Sequence, residues 1–375
     1  MAPMPGSASA RDVISNLLES GDLSFRDFME VALYHPQSGY YACGTNPVGQ
    51  EGDYVTSPLL SPVFAFSLGK LISEFVSRCG YAMSTVVDIG CGDGQLIHSL
   101  YENAGEATRT RCRFFGVDRC LERIVAAARS NAALTFVRSL SEVPKHDAQL
   151  LISNELFDSF PFARLVQRDE HLHELWVSEH DGELEWSERE ANSEYEDYFG
   201  ERGVELAEGQ FADISLDWGP YYREMSESVE HGMIVTFDYG FRREQLFHPR
   251  FRRFGTAAAY SRQRVTRDLL SDPGTHDITA HINFSDLIRA GELAGMKTLF
   301  FDRQAKFLLA LGAAEHELLA PVEEVASLEA AVDLRQRRED ARRLVLPDGI
   351  GEDIRALVQS RGIPDTGWSF QRKLW

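Results

Sequence analysis

One short run constrains this chain more than any other: Val86-Val87-Asp88-Ile89-Gly90-Cys91-Gly92-Asp93-Gly94. An apolar strand passes directly into a turn with no side chains at three alternate positions, and helix-forming sequence resumes near Gln95. That is the strand-turn-helix opening of an open α/β fold. Backbone this bare lets a ligand approach closely, and it sits beside a helix N-terminus. Spacing decides which ligand. A dinucleotide fingerprint needs its third glycine one place later, where this chain has Gln95, and the nicotinamide reading weakens accordingly.

The surroundings agree with an α/β core. From Thr85 onward, short apolar runs alternate with helical segments, the signature of a parallel sheet covered on both faces. Strands are predicted over 85–89, 114–118, 134–137, 149–153, 233–238 and 297–301. Alternation over 172–177 and 184–186, split by Asp181-Gly182, predicts an inserted β-hairpin. Upstream, helical spacing within 12–34, broken at Gly21, predicts two short helices; a Gly, Pro and Asn-rich loop over 35–62 and a helix over 63–78 follow. Beyond Phe307 the chain reads as helices, with a turn at Pro347-Asp348-Gly349 and a last helix over 352–360. The organisation expected is a disordered lead-in over 1–10, an N-terminal helical cap or lid segment over 11–80, and a core over 81–310 with insertions at 160–215 and 241–285. A C-terminal helical extension over 311–375 completes it.

Composition narrows the function classes. A chain of 375 residues, 43% hydrophobic, can bury a substantial core. Its formal charge of -20 repels a phosphate backbone and no long Lys/Arg block offsets it, so nucleic acid is not an expected partner. Five cysteines without a CxxC pair fit unpaired thiols in a reducing compartment and argue against structural zinc; no metal is expected. The first ten residues lack an apolar signal core, and no stretch approaches the roughly 20 apolar residues that span a bilayer. A cytoplasmic protein without a membrane partner is the expectation. Phe64, Phe66 and Phe75 serve either the core or a homodimer face, and both remain open.

The Gly90-Cys91-Gly92-Asp93-Gly94 turn resembles the first motif of class I methyltransferases, whose S-adenosylmethionine cofactor carries no phosphate and lays its methionine and ribose parts over the turn. Asp118, at the end of the second strand and one βαβ unit downstream, offers a carboxylate to both ribose hydroxyls. The same resemblance implies that Asp88 orients the methionine ammonium. It also implies that Ser139 and Leu140 line the adenine, although ordinary loop packing explains those two nearly as well.

Further markers appear in order: Gly39-Tyr40-Tyr41, Gly52-Asp53-Tyr54-Val55-Thr56-Ser57-Pro58, Asn154-Glu155-Leu156-Phe157-Asp158-Ser159-Phe160-Pro161, Asp238-Tyr239-Gly240, Asp277-Ile278-Thr279-Ala280-His281-Ile282-Asn283-Phe284 and Pro347-Asp348-Gly349. Together they resemble the MidA-like family of class I S-adenosylmethionine-dependent methyltransferases, which includes a mitochondrial complex I assembly factor that methylates a protein arginine. The resemblance spans about residues 13–360. It implies a doubly wound, mostly parallel, seven-stranded Rossmann-like sheet, S-adenosylmethionine as cofactor and a protein substrate, arginine being the favoured acceptor. Members near the mitochondrial protein carry glutamates where this chain has Leu59 and Phe66, which bears on substrate identity.

Asn154 and Glu155 close the fourth strand, at the sheet edge where open α/β folds bind ligands. Asn154 is therefore counted with the cofactor residues, and Glu155, assisted by Asp158, is the catalytic candidate. A carboxylate can pair bidentately with two guanidinium nitrogens, leaving the third more nucleophilic. The alternative is that Glu155 and Asp158 cap a helix after the strand. Asp53, Tyr54, Thr56 and Ser57 form a candidate lid, or else Thr56-Ser57-Pro58 merely starts a helix. Asp238, Tyr239 and His281 join them on the substrate side, although His281 with Asp277 reads more readily as a local hydrogen bond than as a metal site. Two rivals stand: a methyltransferase for a small molecule or other polar acceptor, and a cofactor-binding assembly or interaction protein with little turnover.

Overall fold

Residues 84–89 are buried at every position, as a strand covered on both faces must be. This is β1 (Ser84–Ile89) of the larger sheet in a computed structural model that describes residues 8–41, 56–120, 127, 131–145, 147–261, 264–321 and 328–372. With it run β2 (Cys112–Val117), β3 (Leu134–Val137), β4 (Ala148–Asn154), β5 (Gly232–Phe241), β6 (Lys297–Arg303) and β7 (Ile354–Arg361), in the spatial order β6-β7-β5-β4-β1-β2-β3. Strands β1 to β5 are mutually parallel, whereas β7 runs antiparallel to both β5 and β6. From β1 the chain winds outward through β2 and β3 on one side and through β4 and β5 on the other. The switch point of this doubly wound sheet therefore lies between β1 and β4.

Two compact units are present, and the larger sheet belongs to the one formed by Val55–Leu156, Gly219–Tyr239 and Leu287–Trp375. Its helices include α1 (Pro62–Cys79), α2 (Gln95–Asn103), α3 (Gln304–Ala310) and α4 (Leu328–Val345). Ser61 caps α1 by accepting from the Val63 amide at 3.4 Å, Pro62 presets the first turn, and Gly80 ends it at φ 70°. The apolar stripe Phe64, Leu68, Leu71 and Phe75 of α1 packs with Val86, Leu150, Ile152, Val235, Phe307 and Trp368 in one continuous core. Phe64 and Phe75 are thus spent on the interior of this chain and expose no face, while Phe66 packs edge-on against the His316 ring at 5.0 Å.

The predicted helix over 352–360 is wrong. A four-residue helix, Ile350–Asp353, ends there, and β7 follows. Ile354, Leu357 and Val358 satisfy a helical i, i+3, i+4 stripe, but the run is equally a buried strand, which periodicity cannot distinguish. Insertion between β5 and β6 decides the matter, with Val358 opposite both Val235 and Phe300.

The second unit comprises Met1–Tyr54, Phe157–Trp218 and Gly240–Asp286. Its antiparallel sheet contains the predicted hairpin, longer than expected, with His171–His180 paired to Glu183–Glu190. The turn residues Asp181 and Gly182 both take positive φ, 50° and 83°, as a twisted two-residue hairpin requires. Ala163–Arg168 and Phe211–Ile214 extend the sheet. The two predicted N-terminal helices are Ala10–Leu18 and Phe25–Tyr34, and Phe25, Phe28 and Met29 pack with Phe162 and Val177. Ser9 already caps the first helix, so the order begins before residue 11. Among the described residues, no helix is long and apolar enough to cross a membrane.

Candidate functional site

The turn after β1 can only be made from glycine. Gly90, Gly92 and Gly94 have φ of 74°, 55° and 77°, a region that residues with a Cβ avoid. At Gly94 there is no space either, since a Cβ would lie 2.9 Å from both Ala127 Cβ and Phe136 Cε1. Gly94 is also the N-cap of α2 and brings no capping side chain. The Gly90 and Cys91 amides donate to the Val117 carbonyl at 2.8 and 3.0 Å, which fastens the turn to the end of β2.

Asp118 continues that attachment. One carboxylate oxygen accepts from the Gly92 amide at 2.9 Å and the other from the Cys120 amide at 2.8 Å. Each oxygen has two acceptor positions, so the carboxylate is oriented while keeping capacity for further donors. Tyr221 lies within electrostatic range; burial, then Glu224 and Asp118, push its phenol up to about 12, and it remains a protonated donor at neutral pH. Asp88 is 2% exposed and its Oδ2 has no hydrogen-bond partner. Burial, followed by the charges of Asp118 and Asp93, pushes its carboxyl up to about 8. A buried acid in that state is poised to accept a positive charge.

Across the switch point, β4 ends beside the same turn: Asp88 pairs with Ile152 and Ile89 with Ser153. Glu155 follows at φ 50°, an unfavourable conformation for a residue with a side chain and one that clusters at functional sites. Its amide donates to the Phe237 carbonyl at 2.8 Å. Its Oε1 accepts from the Asn154 side-chain amide at 3.0 Å and from the Ser57 backbone amide at 3.3 Å. The Ser57 hydroxyl in turn accepts from Gln304 Nε2 at 2.9 Å. Two buried amide oxygens, Asn154 Oδ1 and Gln304 Oε1, have no hydrogen-bond partner. Asp238, fully buried, accepts from the Leu156 amide at 3.2 Å and the Tyr239 amide at 2.8 Å, and so holds the turn that carries Glu155.

No helix follows Glu155; residues 155–160 form bends and turns, so the capping alternative has nothing to cap. Thr56 does precede a short helix, Ser57–Leu60, but makes no side-chain cap. Ser139 caps the single 3-10 turn Leu140–Glu142 by accepting from the Ser141 amide, and Leu140 is buried. Tyr239 is partly buried against the core. Asp53 and Tyr54 lie outside the described residues. Asp158 and His281 belong to the other unit. There the Asp158 carbonyl accepts from the Ala280 amide at 3.0 Å, and the His281 amide donates to Thr256 Oγ1 at 3.0 Å. Asp277 accepts from the Tyr41 hydroxyl at 2.5 Å, a bond between residues 236 positions apart in sequence. Sequence reasoning missed Gln304 and Tyr221. Gln304 opens a helix with a polar residue that is wholly buried, a signal visible only once burial is known.

Comparison with known proteins shows the family and its cofactor. A family model described as "Putative S-adenosyl-L-methionine-dependent methyltransferase" matches residues 67–301, more than half of the chain. The chain belongs to this family. Among relatives of this methyltransferase, the bovine protein named "Protein arginine methyltransferase NDUFAF7, mitochondrial" is 23% identical over 75% of this chain and 68% of its own length. The human protein of that name is 22% identical over 83% of this chain and 75% of its own. A crystal structure of a COG1565 superfamily member from Burkholderia thailandensis, bound to S-adenosyl-homocysteine, superposes with a TM-score of 0.82 at 25% identity, covering 99% of this chain and 97% of the other. S-adenosylmethionine is accordingly the cofactor. The residues present fit it, with a side-chain-free turn, an oriented carboxylate with spare acceptor capacity at Asp118, and a buried acid with an unpartnered oxygen at Asp88.

Proposed function

We propose that this methyltransferase acts on a nitrogen of a protein substrate, an arginine guanidinium, with Glu155 positioning the acceptor. One observation carries the reading: three side-chain acceptors stand near the end of β4. Glu155, Asn154 Oδ1 and Gln304 Oε1 gather there, the last two buried without partners. A guanidinium is the complementary group, with five N–H donors and no acceptor. The naming of the curated relatives as protein arginine methyltransferases supports the same acceptor.

S-adenosylmethionine supplies a methyl group on a sulfonium that is already electrophilic, so the task of the chain is to position groups. In this reading the backbone of Gly90, Gly92 and Gly94 lies against the cofactor, Asp118 accepts from its ribose hydroxyls and Asp88 faces its ammonium. Glu155 pairs with two guanidinium nitrogens and draws the positive charge toward them, which leaves electron density on the third. Gln304, through Ser57, and Asn154 keep the Glu155 carboxylate in place. The acceptor nitrogen loses its proton to solvent after the new N–C bond has formed, and no strong base is needed. Alignment of this kind can lower a barrier by roughly 7–11 kcal/mol.

The test is to incubate the protein with methyl-labelled cofactor and cell lysate, then map labelled peptides by mass spectrometry. Label on arginine is expected, and Glu155→Gln should lower the transfer rate by about 10–150-fold, the equivalent of one lost charge-assisted hydrogen bond. Cofactor affinity should be unaffected. Label confined to small molecules would overturn the protein-substrate reading.

A further inference from the structure

Residues 242–254 hold five arginines, Arg242, Arg243, Arg250, Arg252 and Arg253, against one acid, Glu244, in a chain of net charge -20. Phe251 and Phe254, in the same run, are 69% and 60% exposed. Scattered exposed apolar side chains need no explanation, but this pair is braced from beneath by buried chemistry. The Asp213 side chain, wholly buried, accepts from the Thr256 and Ala257 amides at 2.6 and 2.8 Å and from Arg164 at 2.7 Å. Arg164 also donates to the Phe254 carbonyl at 3.1 Å, and the Phe211 amide donates to the Arg253 carbonyl at 2.8 Å. Cations converge around this loop. The Arg253 and Arg168 guanidinium groups come within 3.2 and 3.7 Å of where a Cβ on Gly209 would stand, and Arg164 and Arg168 lie 5.0 and 5.9 Å from the Phe211 ring centroid. Asp213 neutralises Arg164, and Glu188 pairs with Arg168 at 3.3 Å. Arg253 donates to the Glu208 carbonyl at 3.4 Å and Arg250 lies 5.8 Å from the Phe251 ring, and neither forms an ion pair among the described residues.

Strand register brings the complement onto the same surface. Directly opposed residues of an antiparallel sheet share a face, and alternate residues of a strand do too. Val166 stands opposite His173, and His173 opposite Glu190, so Arg164 and Arg168 share a face with Trp186, Glu188 and Glu190. Phe25 packs on the Trp186 ring at 5.0 Å, yet Trp186 stays 39% exposed, and Glu188 and Glu190 are exposed beyond it. One end of this face thus offers guanidinium groups and phenyl rings, and the other carboxylates and an indole. A two-fold axis through such a face would set each end on the opposite end of a second copy, which is the self-complementarity an isologous interface needs. We propose that the chain dimerises in this way, Arg250, Phe251, Arg253 and Phe254 of each copy seating against the Glu188 and Glu190 end of the other. A nucleic acid or a lipid leaflet fits less well. Each is an extended polyanion that must also lie along the rest of a strongly acidic molecule, whereas an acidic strand end meets the arginines alone, within a Debye length of about 8 Å. Phe64 and Phe75, buried in the core, take no part. The proposal does not rest on the identity of the methyl acceptor.

Sedimentation of the full chain across a protein and salt series tests it by charge exchange. The parent should reach dimer mass at low salt and dissociate as salt rises, since rim charges are screened. One variant joins Arg250→Glu to Arg253→Glu, and a second joins Glu188→Lys to Glu190→Lys. Each alone should be monomeric where the parent is dimeric. An equimolar mixture of the two should regain dimer mass, because both contacts of the two-fold pair are then again between opposite charges. Phe251→Ser with Phe254→Ser should weaken the dimer by about tenfold or more without lowering the thermal midpoint, and it decides the matter if either charge variant fails to fold. A parent that is monomeric throughout, a dimer indifferent to these changes, or no recovery on mixing overturns the interface. A monomeric parent that instead binds phosphatidylserine vesicles or a single-stranded oligonucleotide through Arg250 and Arg253 would assign the surface to that polyanion, and the dimer would be rejected while the proposed function stood.

Discussion

Asp88 holds two requirements in opposition, and its titration exposes both. In the absence of cofactor, burial and the neighbouring acids raise it from 3.8 to about 8. A carboxyl that binds its proton more tightly in the folded than in the unfolded chain contributes stability that is complete below the unfolded value and is lost as pH rises to the folded one. The cofactor-free protein should therefore lose thermal stability between about pH 4 and pH 8, partly through this residue. Asp88→Asn cannot ionise. It should match the parent near the acid end and melt higher than the parent at the alkaline end, and thermal melts across that range would measure the gap. With cofactor the ranking should reverse, because the asparagine offers no charge to an ammonium. A variant that melts below the parent at every pH would show that the carboxylate is already compensated in the free protein. Glu155 is a comparable case in backbone terms: its positive φ is tolerated because its amide and the Leu156 amide are each held, by Phe237 and Asp238.

At the scale of elements, the glycine turn, its strand and Asp118 were legible in the sequence because each follows from a local rule: bare backbone, a continuous apolar run and one βαβ spacing. The hairpin was legible for the same reason, through Asp181-Gly182. What stayed hidden depends on partners far away in sequence. The residues of β7 carry no period that separates a buried strand from a helix, and the antiparallel strands on either side of β7 decide its state. Gln304 was hidden likewise, since its value lies in reaching Ser57. Leu357, fully buried in β7, provides the check. Leu357→Ala should cost about 2–5 kcal/mol in urea unfolding, the usual range for a truncated core leucine. A cost near zero would mean that the strand is not inserted as described.

On the scale of the whole molecule, the glycine turn, Asp118, Asn154 and Glu155 come from one compact unit, while the hairpin and the N-terminal helices come from the other. Ligand binding stabilises chiefly the segments that hold the ligand. Hydrogen exchange with S-adenosylhomocysteine should therefore slow in peptides covering 84–94, 112–120 and 148–156 and change little over 163–190. Equal protection in the hairpin would mean that cofactor energy is shared across both units. The arrangement of the larger sheet also bears on how the polypeptide is made. Strand β6 joins its sheet only through β7 among the described strands, and β5 keeps an open edge until β7 arrives. Residues 242–353 must leave the ribosome after β5 and before that edge is covered. During synthesis the nascent chain thus carries an unpaired, strongly apolar β-edge of the kind that templates aggregation, and a chaperone that shields such edges would raise its yield.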